Sequence, residues 1–286
     1  MVYLSRFSFP DKEQEYDLFF SLKKTCYDTF YPFGILSRNG LRVLDFEPIT
    51  ILYGGNGSGK STALNVIAEK LGIKRDTLCN RSSFMEDYTY MCDFEMLCSL
   101  PPESGIITSD DIFDFMLNVR AVNEGVDIKR EALFEEYQYN KHAKFRMTSL
   151  DDYDRLKKIT DARRMTKSGY VRENLAGNVR EYSNGESAFL FFADKIKENA
   201  LYLLDEPENS LSPGKQQELM EFLENSVRFF GCQFIIATHS PFILSLRGAK
   251  IYDLDEDPVD IKKWTELPNV AAYYDFFKKH ERDFER

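Results

Sequence analysis

The sequence contains no run of about 18 consecutive apolar residues, which is the length that a membrane-spanning helix needs. Its first 20 residues mix acids with aromatics and lack the basic start and apolar centre of a signal peptide. No internal repeat or low-complexity tract interrupts the 286 residues. We therefore expect a cytoplasmic protein with no membrane partner, and its 43% of hydrophobic residues is typical of a folded domain.

Metal-binding cysteine patterns are also missing. The five cysteines form no CxxC pair, and no histidine stands near one of them at the spacing of a zinc site. We therefore expect free, buried thiols.

Charge is distributed unevenly along the chain. The net charge is −10, but the segment from Arg155 to Arg180 carries +6 and the remainder carries −16. Such a basic segment can contact nucleic-acid phosphates, although a solvated linker can have the same composition. Its basic residues are Arg155, Lys157, Lys158, Arg163, Arg164, Lys167, Arg172 and Arg180.

Apolar strands alternate with helices in two parts of the chain. This alternation predicts an α/β fold with a mainly parallel sheet that is covered on both faces. Residues 79–180 instead have helical patterns, with starts near Ser109 and Ile128. We expect one domain over residues 1–286, in which a helical insert at 79–180 separates the two halves of the core, 1–78 and 181–286. The predicted strands are 41–46, 49–53, 200–204, 232–237 and 250–254, and the predicted core helices are 61–71, 186–198 and one that begins at Ser212-Pro213.

The segment from Gly54 to Ser61 satisfies the phosphate-loop pattern GxxxxGK(S/T), and it follows a predicted strand and precedes a predicted helix. Its glycines let successive N–H groups point at phosphate oxygens, and the helix N-terminus adds partial positive charge. We expect Lys60 at the β- and γ-phosphates, where it takes part in catalysis, and the Ser61 hydroxyl on Mg²⁺. The predicted nucleotide-binding residues here are Gly54, Gly55, Asn56, Gly57, Ser58, Gly59, Lys60, Ser61 and Thr62.

A second motif brings two carboxylates to the end of a buried strand. Four apolar residues, 201–204, precede Asp205 and Glu206, and ligands of open α/β sheets bind at the carboxyl ends of strands. Asp205 is expected to hold Mg²⁺, and Glu206 is expected to polarise the attacking water as a general base. The two motifs together predict an ATPase that uses ATP and Mg²⁺.

With these motifs in this order, the sequence resembles the ABC-type P-loop ATPases over roughly residues 41–72 and 180–255. Residues 182–186, YSNGE, stand where that family has LSGGQ, and they differ from it at the first, third and fifth positions. The resemblance implies that Ser183 and Gly185 bind the γ-phosphate across a dimer, although a turn that caps a helix is an alternative. It also implies that His239 is the switch histidine, and a structural histidine is the alternative.

Details of the motifs separate subgroups. DEPENSLSP at 205–213 and THSP at 238–241 are similar to the soluble ATPases grouped with RecF, SMC and OLD-type proteins, the AAA_21-like group. No glutamine occurs between Gln14 and Gln138, so the family's Gln loop lacks its glutamine. Thr108 to Asp111 could supply oxygen ligands there, or could simply cap a helix.

The resemblance implies a soluble ATPase that hydrolyses Mg-ATP at the nucleotide-sandwiched interface of an ATP-dependent homodimer. Each site would pair Lys60, Asp205 and Glu206 of one subunit with Ser183 of the other. The cycle would drive a DNA-related process, such as repair or anti-phage defence, through a separate effector protein. Two alternatives stay open, an ATP-gated regulatory switch for a partner protein and the nucleotide-binding subunit of an ABC transporter.

Overall fold

The structure is a computed structural model that describes residues 1–21, 29–77, 80–143, 153–175, 184–209 and 211–284. The chain forms two compact units. The first unit comprises Met1–Ile112 and Asn184–Arg286, and the second comprises Phe113–Ser183.

The first unit is built on a six-stranded sheet. All neighbouring strands are parallel except the last pair, which is antiparallel. Every residue of the two strands at 49–53 and 233–237 is buried, as expected for strands covered on both faces. The predicted α/β fold with a mainly parallel sheet is therefore confirmed. In sheet order the strands are β5 (Gly105–Thr108), β6 (Leu201–Asp205), β7 (Gln233–Ala237), β3 (Ile49–Tyr53), β8 (Lys250–Asp253) and β9 (Asp260–Ile261).

The strand register brings several chemical groups to one edge of this sheet. β7 lies between β6 and β3, and its last residue, Ala237, pairs with Asp205 on one side and with Leu52 on the other. Thr108 at the end of β5 pairs with Asp205 as well. The carboxyl ends of four neighbouring strands therefore meet where the phosphate loop begins.

A second, antiparallel sheet was not predicted. It contains β2 (Val43–Asp45), β1 (Leu4–Ser8) and β4 (Asp93–Met96), in that order. The fully buried Gln233 of β7 joins it to the central sheet, because its Oε1 accepts from the N–H groups of Tyr3 and Leu4, and its Nε2 donates to Leu4 O. Leu4 and Phe7 share one apolar cluster with residues of the central sheet.

The helices of the first unit have clear sequence causes. Helix α2 (Lys60–Leu71) ends at Gly72, which has a left-handed backbone and donates its N–H to Ala68 O and Glu69 O. Helix α8 (Pro213–Phe230) begins at Pro213, as predicted, and is capped by Gly231. The remaining helices of this unit are α1 (Lys12–Ser21), α3 (Met85–Met91), α7 (Asn184–Lys195), α9 (Pro241–Leu244), α10 (Pro268–Lys279) and α11 (Glu281–Phe284).

The second unit is helical in its described part. Helix α4 (Ser109–His142) starts in the first unit and continues for 34 residues, where the sequence predicted two separate helices. It is followed by α5 (Tyr153–Arg164) and α6 (Lys167–Asn174). A small apolar cluster holds this unit together and consists of Leu133, Tyr137, Ala162, Tyr170 and Val171.

The first boundary of the insert differs from the predicted residue 79. Residues 80–112 belong to the first unit, because β5 pairs with β6 and β4 pairs with β1. The four residues of β5 follow a proline-rich loop and are followed directly by α4. In the sequence they were therefore interpreted as the segment that leads into a helix, and not as a strand.

The described thiols are all free, but they are not all buried as expected. Cys92 and Cys232 are free and buried, but Cys98 is free and exposed, because it lies in a bend after an edge strand; Cys26 and Cys79 are outside the described residues. Within the described ranges, no helix is both long and apolar enough to cross a membrane.

Candidate functional site

The loop between β3 and α2 requires glycine at two points. A Cβ atom on Gly54 would lie 2.5 Å from Ser58 Oγ, which is closer than such atoms can approach. Gly59 has a φ of 98°, and a Cβ there would lie 3.0 Å from Leu36 Cδ2. Glycine at these positions therefore allows both the tight bend and the close contact with the neighbouring segment.

The loop presents free backbone donors. Ser58 N donates to Gly55 O at 3.2 Å, and Gly55 N donates to Asp255 Oδ2 at 2.8 Å. In contrast, the N–H groups of several other residues of this loop and of the first turn of α2 find no acceptor within the described part of the chain. Unpaired donors at the start of a helix form a site for an anion. These donors include the N–H groups of Gly57, Gly59, Lys60 and Ser61.

Lys60 adds a positive charge to this site. The residue is 4% exposed, and its Nζ donates to Gly54 O at 2.7 Å and to Gly55 O at 2.9 Å. Both acceptors are neutral, and no carboxylate among the described residues forms an ion pair with Lys60 at 4.0 Å or less. A buried ammonium without a counter-ion is unfavourable, so the cavity favours an anion. This cavity has a volume of about 280 Å³ and is lined by Ile35, Asn56, Gly57, Gly59, Lys60, Ser61, Thr62 and Glu206.

Ser61 and Asp205 meet at the same place. Ser61 Oγ donates to Asp205 Oδ1 at 2.9 Å, across 144 positions of sequence. Burial raises the pKa of Asp205 to about 6, with a further contribution from the charge of Glu206, while the hydrogen bond from Ser61 lowers it. A bound cation would relieve the cost of burying this negative charge.

The donor set fits Mg²⁺. Hydroxyl and carboxylate oxygens are the ligands that this ion takes, and it commonly uses one or two protein groups together with water and phosphate oxygens. The described residues contain no group of three or more His, Cys, Asp or Glu that could form a cage for a metal. Ser61 and Asp205 thus suit an ion that arrives with a phosphorylated ligand.

Glu206 has an unusual backbone and an accessible carboxylate. Its φ is 48°, in a region that residues with a side chain rarely adopt, and its N–H donates to Ala237 O at 2.8 Å. Its Oε2 accepts from Asn209 Nδ2 at 2.9 Å, and the side chain is 27% exposed and lines the cavity. Such strained residues cluster at functional sites, so the geometry supports a role for Glu206.

His239 follows β7 and lies beside this carboxylate. Its Nδ1 is 3.8 Å from Glu206 Oε1 and 3.7 Å from Glu208 Oε1. The imidazole is 46% exposed, so a ligand or a water molecule can reach it. The structure therefore brings Lys60, Ser61, Asp205, Glu206 and His239 to one edge of the sheet.

The segment at 182–186, which stands where the ABC-type family has LSGGQ, is described only in part. Ser183 lies outside the described residues, and of Gly185 only the backbone is described, in the first turn of α7. Their predicted contacts with a phosphate therefore stay predictions.

Thr108 and Asp111 form a reciprocal cap at the start of α4. Asp111 Oδ2 accepts from Thr108 N at 2.6 Å and from Thr108 Oγ1 at 2.8 Å, and Asp111 N donates back to Thr108 Oγ1 at 3.4 Å. Of the two alternatives left open for this segment, the helix cap is the one that the geometry shows.

Three residues near the site were not singled out from the sequence. Ile35 lines the cavity, Asp255 holds the glycine loop through Gly55, and Glu208 holds the loop that contains His239. Only Glu208 carried a signal, since it lies two positions after Glu206. The contacts of Ile35 and Asp255 depend on distant parts of the chain and have no local pattern.

The basic residues of the second unit are at its surface. Lys158 Nζ is 2.9 Å from Glu136 Oε1, Arg163 donates to Ala143 O, and Lys167 Nζ lies 4.3 Å from the centre of the Phe134 ring. Arg180 is outside the described residues. The described and exposed members of the basic segment are Arg155, Lys157, Lys158, Arg163, Arg164, Lys167 and Arg172.

Comparison with known proteins agrees with this description. Residues 110–245, slightly less than half of the chain, match a family model described as "AAA domain, putative AbiEii toxin, Type IV TA system". The matched segment includes Asp205, Glu206 and His239 and begins after the glycine loop. Together with the fold, this match confirms the predicted resemblance to ABC-type P-loop ATPases of the RecF/SMC-like group. No curated protein matches the chain.

Several solved structures are similar to the chain. The Smc head domain from Pyrococcus furiosus, bound to a domain of ScpA, has a TM-score of 0.44 and 13% identity, over 98% of this chain and 100% of that one. The SMC head domain from Thermotoga maritima has a TM-score of 0.38 and 12% identity, over 91% and 98%. A nucleotide-free ATP-binding cassette from an ABC transporter has a TM-score of 0.40 and 16% identity, over 81% and 90%.

Proposed function

We propose that this protein binds Mg-ATP in the cavity beside Lys60 and hydrolyses it. The observation that carries the proposal is the convergence of three groups from two strand ends. Lys60 is a buried cation without an anionic partner among the described residues, and the Ser61–Asp205 pair, at 2.9 Å, offers two hard oxygen ligands. A triphosphate with its metal complements both features.

The glycine loop would bind the phosphates. An ammonium has three donors, and Lys60 uses two of them on Gly54 O and Gly55 O, so one remains for a phosphate oxygen. The unpaired N–H groups of Gly57, Gly59, Lys60 and Ser61 surround the same space. This arrangement neutralises charge without a large rearrangement of the loop.

Ser61 and Asp205 would hold Mg²⁺, which neutralises phosphate charge when it is bound. Asp205 must be ionised to do so, and Lys60 and Arg75 lower its pKa against the effect of burial. The short contact with Ser61 keeps both oxygens on the same side of the cavity.

Glu206 would accept a proton from the attacking water. Asn209 fixes Oε2, so the other oxygen is directed toward His239 and the cavity. His239 would donate a hydrogen bond to the water or to a phosphate oxygen as a neutral imidazole. The separation of Nδ1 from Glu206 leaves room for a bound molecule to draw these groups together.

The proposal includes an ATP-dependent homodimer, in which Ser183 and Gly185 of one subunit complete the site of the other. The resemblance to ABC-type ATPases supports this step. With Mg-ATP, Glu206→Gln protein should shift from monomer to dimer in analytical ultracentrifugation, and Ser183→Arg should prevent the shift because a bulky cation occupies the phosphate's space. Hydrolysis by a protein that stays monomeric with every nucleotide would contradict this step.

The output of the cycle is proposed to be DNA-related, and the exposed basic residues of α5 and α6 support this part. The alternative is an ATP-gated switch that regulates a partner protein. The matched family model is described as a toxin of a type IV system, which supports that alternative.

Phosphate-release and ATP-binding assays test the hydrolysis. Glu206→Gln should keep ATP binding and lose turnover by about 100-fold or more, since a positioned general base contributes 10² to 10⁴ in rate. The control is Glu218→Gln on α8, whose carboxylate is exposed and pairs with Lys215. Turnover at the wild-type rate in Glu206→Gln would show that Glu206 is not the base.

A further inference from the structure

Glu208 is a buried carboxylate that the proposed mechanism does not use. It lies three positions after the end of β6 and is 6% exposed. One of its oxygens, Oε1, accepts three hydrogen bonds, while Oε2 is buried and has no partner in the described part of the chain. The three donors are Thr238 Oγ1 at 2.6 Å, His239 N at 3.1 Å and Ser240 N at 3.1 Å.

These bonds fix the loop that follows β7. Two consecutive N–H groups and the hydroxyl beside them converge on one oxygen atom, so the backbone on both sides of the imidazole is held. Ser240 is also bound from the other direction, because its Oγ donates to Gln216 Oε1 at 2.6 Å. Asn269 Nδ2 donates to His239 O at 2.7 Å.

The imidazole lies between two carboxylates with different surroundings. Its Nδ1 is 3.7 Å from Glu208 Oε1 and 3.8 Å from Glu206 Oε1. Glu206 is partly exposed and lines the cavity, whereas Glu208 is enclosed and saturated with donors on the facing oxygen. Glu208 is therefore unsuited to take a proton from water, and it can act only through the groups that it holds.

We propose that Glu208 is a positioning residue for ATP hydrolysis, which fixes the His239 loop and keeps Nδ1 of the imidazole toward the carboxylates. Nε2 is then the ring atom that remains for the water or the phosphate, since a partner at one ring nitrogen determines the role of the other. Contacts of this kind are often long without substrate and shorten when it binds. This inference rests on the proposed ATPase function.

The test compares kcat and KM for Mg-ATP in the full-length wild-type protein, Glu208→Ala, His239→Ala and the double variant. Glu208→Ala should lower kcat by about 10- to 100-fold, as the loss of an orienting partner typically does, with KM within about threefold. The double variant should be no slower than His239→Ala, because Glu208 acts through His239. Glu208→Gln keeps the accepting oxygen and should restore most of kcat.

A matched control separates this role from general support of the fold. Glu15 is also buried, at 4% exposure; its Oε2 accepts from Gly34 N and Ser37 Oγ, and its Oε1 likewise has no partner in the described part of the chain. Glu15→Ala should lower the melting temperature about as much as Glu208→Ala, yet keep kcat; any effect on activity should be on KM, because Gly34 and Ser37 flank Ile35, which lines the cavity. A loss of kcat in both variants alike would overturn the assignment.

Other outcomes are equally decisive. Wild-type kcat in Glu208→Ala, or losses that add to those of His239→Ala, would overturn this inference and leave the proposed function intact. A wild-type protein that hydrolyses no ATP would overturn both. If Glu208→Ala does not fold, Thr238→Val replaces it, because this change removes the 2.6 Å bond and leaves the carboxylate in place. The change also removes the acceptor that Thr238 Oγ1 offers to Ser240 N at 3.0 Å, although this N–H keeps its bond to Glu208. It should therefore lower kcat by at least about fivefold, the equivalent of one hydrogen bond, and an unchanged kcat would overturn the inference.

Discussion

The two compact units use charged residues in opposite ways. In the first unit, Lys60 and Glu208 are almost completely buried, and each is hydrogen-bonded to backbone groups of a loop at the site. In the second unit, the described basic residues of α5 and α6 are exposed, and partners such as Glu136 are at the surface too. Burying a charge is expensive, whereas an exposed ion pair contributes little.

This difference shows how strongly the charged residues of each unit argue for a bound ligand. A buried charge is retained against its cost, so its presence at a cavity is strong evidence for a ligand. An exposed basic segment is compatible with several partners and with none. The experiments that test this comparison therefore range from a large loss of ATP affinity to a modest change in stability.

The largest effect is expected for Lys60→Ala. Removing the ammonium leaves the phosphates without their fixed counter-charge, so ATP affinity should fall by at least about 30-fold, since the loss of a buried charge partner costs about 2 kcal/mol or more. Isothermal titration calorimetry measures it directly. Lys167→Ala, which removes a lysine of the second unit, is the matched control and should bind ATP normally. Equal losses in both variants would remove the distinction between the units.

The second test concerns DNA binding by the basic segment. If the segment contacts phosphates, reversal of Arg163, Arg164 and Lys167 to glutamate should abolish binding to duplex or single-stranded oligonucleotides, with ATP hydrolysis unchanged. Wild-type affinity, followed by fluorescence anisotropy, should fall with salt at a log–log slope near −0.9 per phosphate neutralised. A wild type that binds no oligonucleotide at about 50 mM salt, with or without ATP, would favour the regulatory-switch alternative.

The smallest effect is expected for the stability of the nucleotide-free protein. Burial raises the pKa of Asp205 from 3.8 to about 6, so the folded state binds its proton more tightly than the unfolded state. The group therefore stabilises the fold below pH 4, and this contribution is lost as the pH rises through 6. Asp205→Asn should then raise the free energy of unfolding by about 2 kcal/mol at pH 8, relative to its effect at pH 4.

Chemical denaturation at the two pH values measures this difference in the absence of Mg²⁺ and nucleotide. Asp194→Asn on α7, outside the site, serves as the control and should give no such difference. A gain in the free energy of unfolding that is equal at both pH values would show that burial does not raise the pKa of Asp205.

Much of the site could be predicted from the sequence because its motifs are local. The glycine loop needs only a strand, a turn and a helix in succession, and Asp205 needs only a buried strand that ends beside it. Glu208 could not be assigned in this way, because its three donors are 30 to 32 positions away and meet it only when β6 and β7 pair.

The fold shows the same limit. Four strands of the central sheet, β3, β6, β7 and β8, were predicted from their apolar runs, but β5 and β9 were not. The second sheet was missed as well, because β1 and β4 are short strands with mixed polarity. Their place is set by long-range contacts such as those of Gln233 with Tyr3 and Leu4. The start of the insert was predicted at residue 79, whereas the second unit begins at Phe113. The reason is similar, because the pairing of β5 with β6 connects residues almost 100 positions apart.

The left-handed backbone of Glu206 has a consequence for engineering. This conformation costs a residue with a side chain about 1 kcal/mol, whereas glycine adopts it without that cost. Directed evolution that selects only for heat resistance would therefore drive position 206 toward glycine and deliver a hardier protein without its proposed base. Thermal stability and ATP turnover therefore favour different residues at position 206, so any attempt to stabilise the protein must measure both.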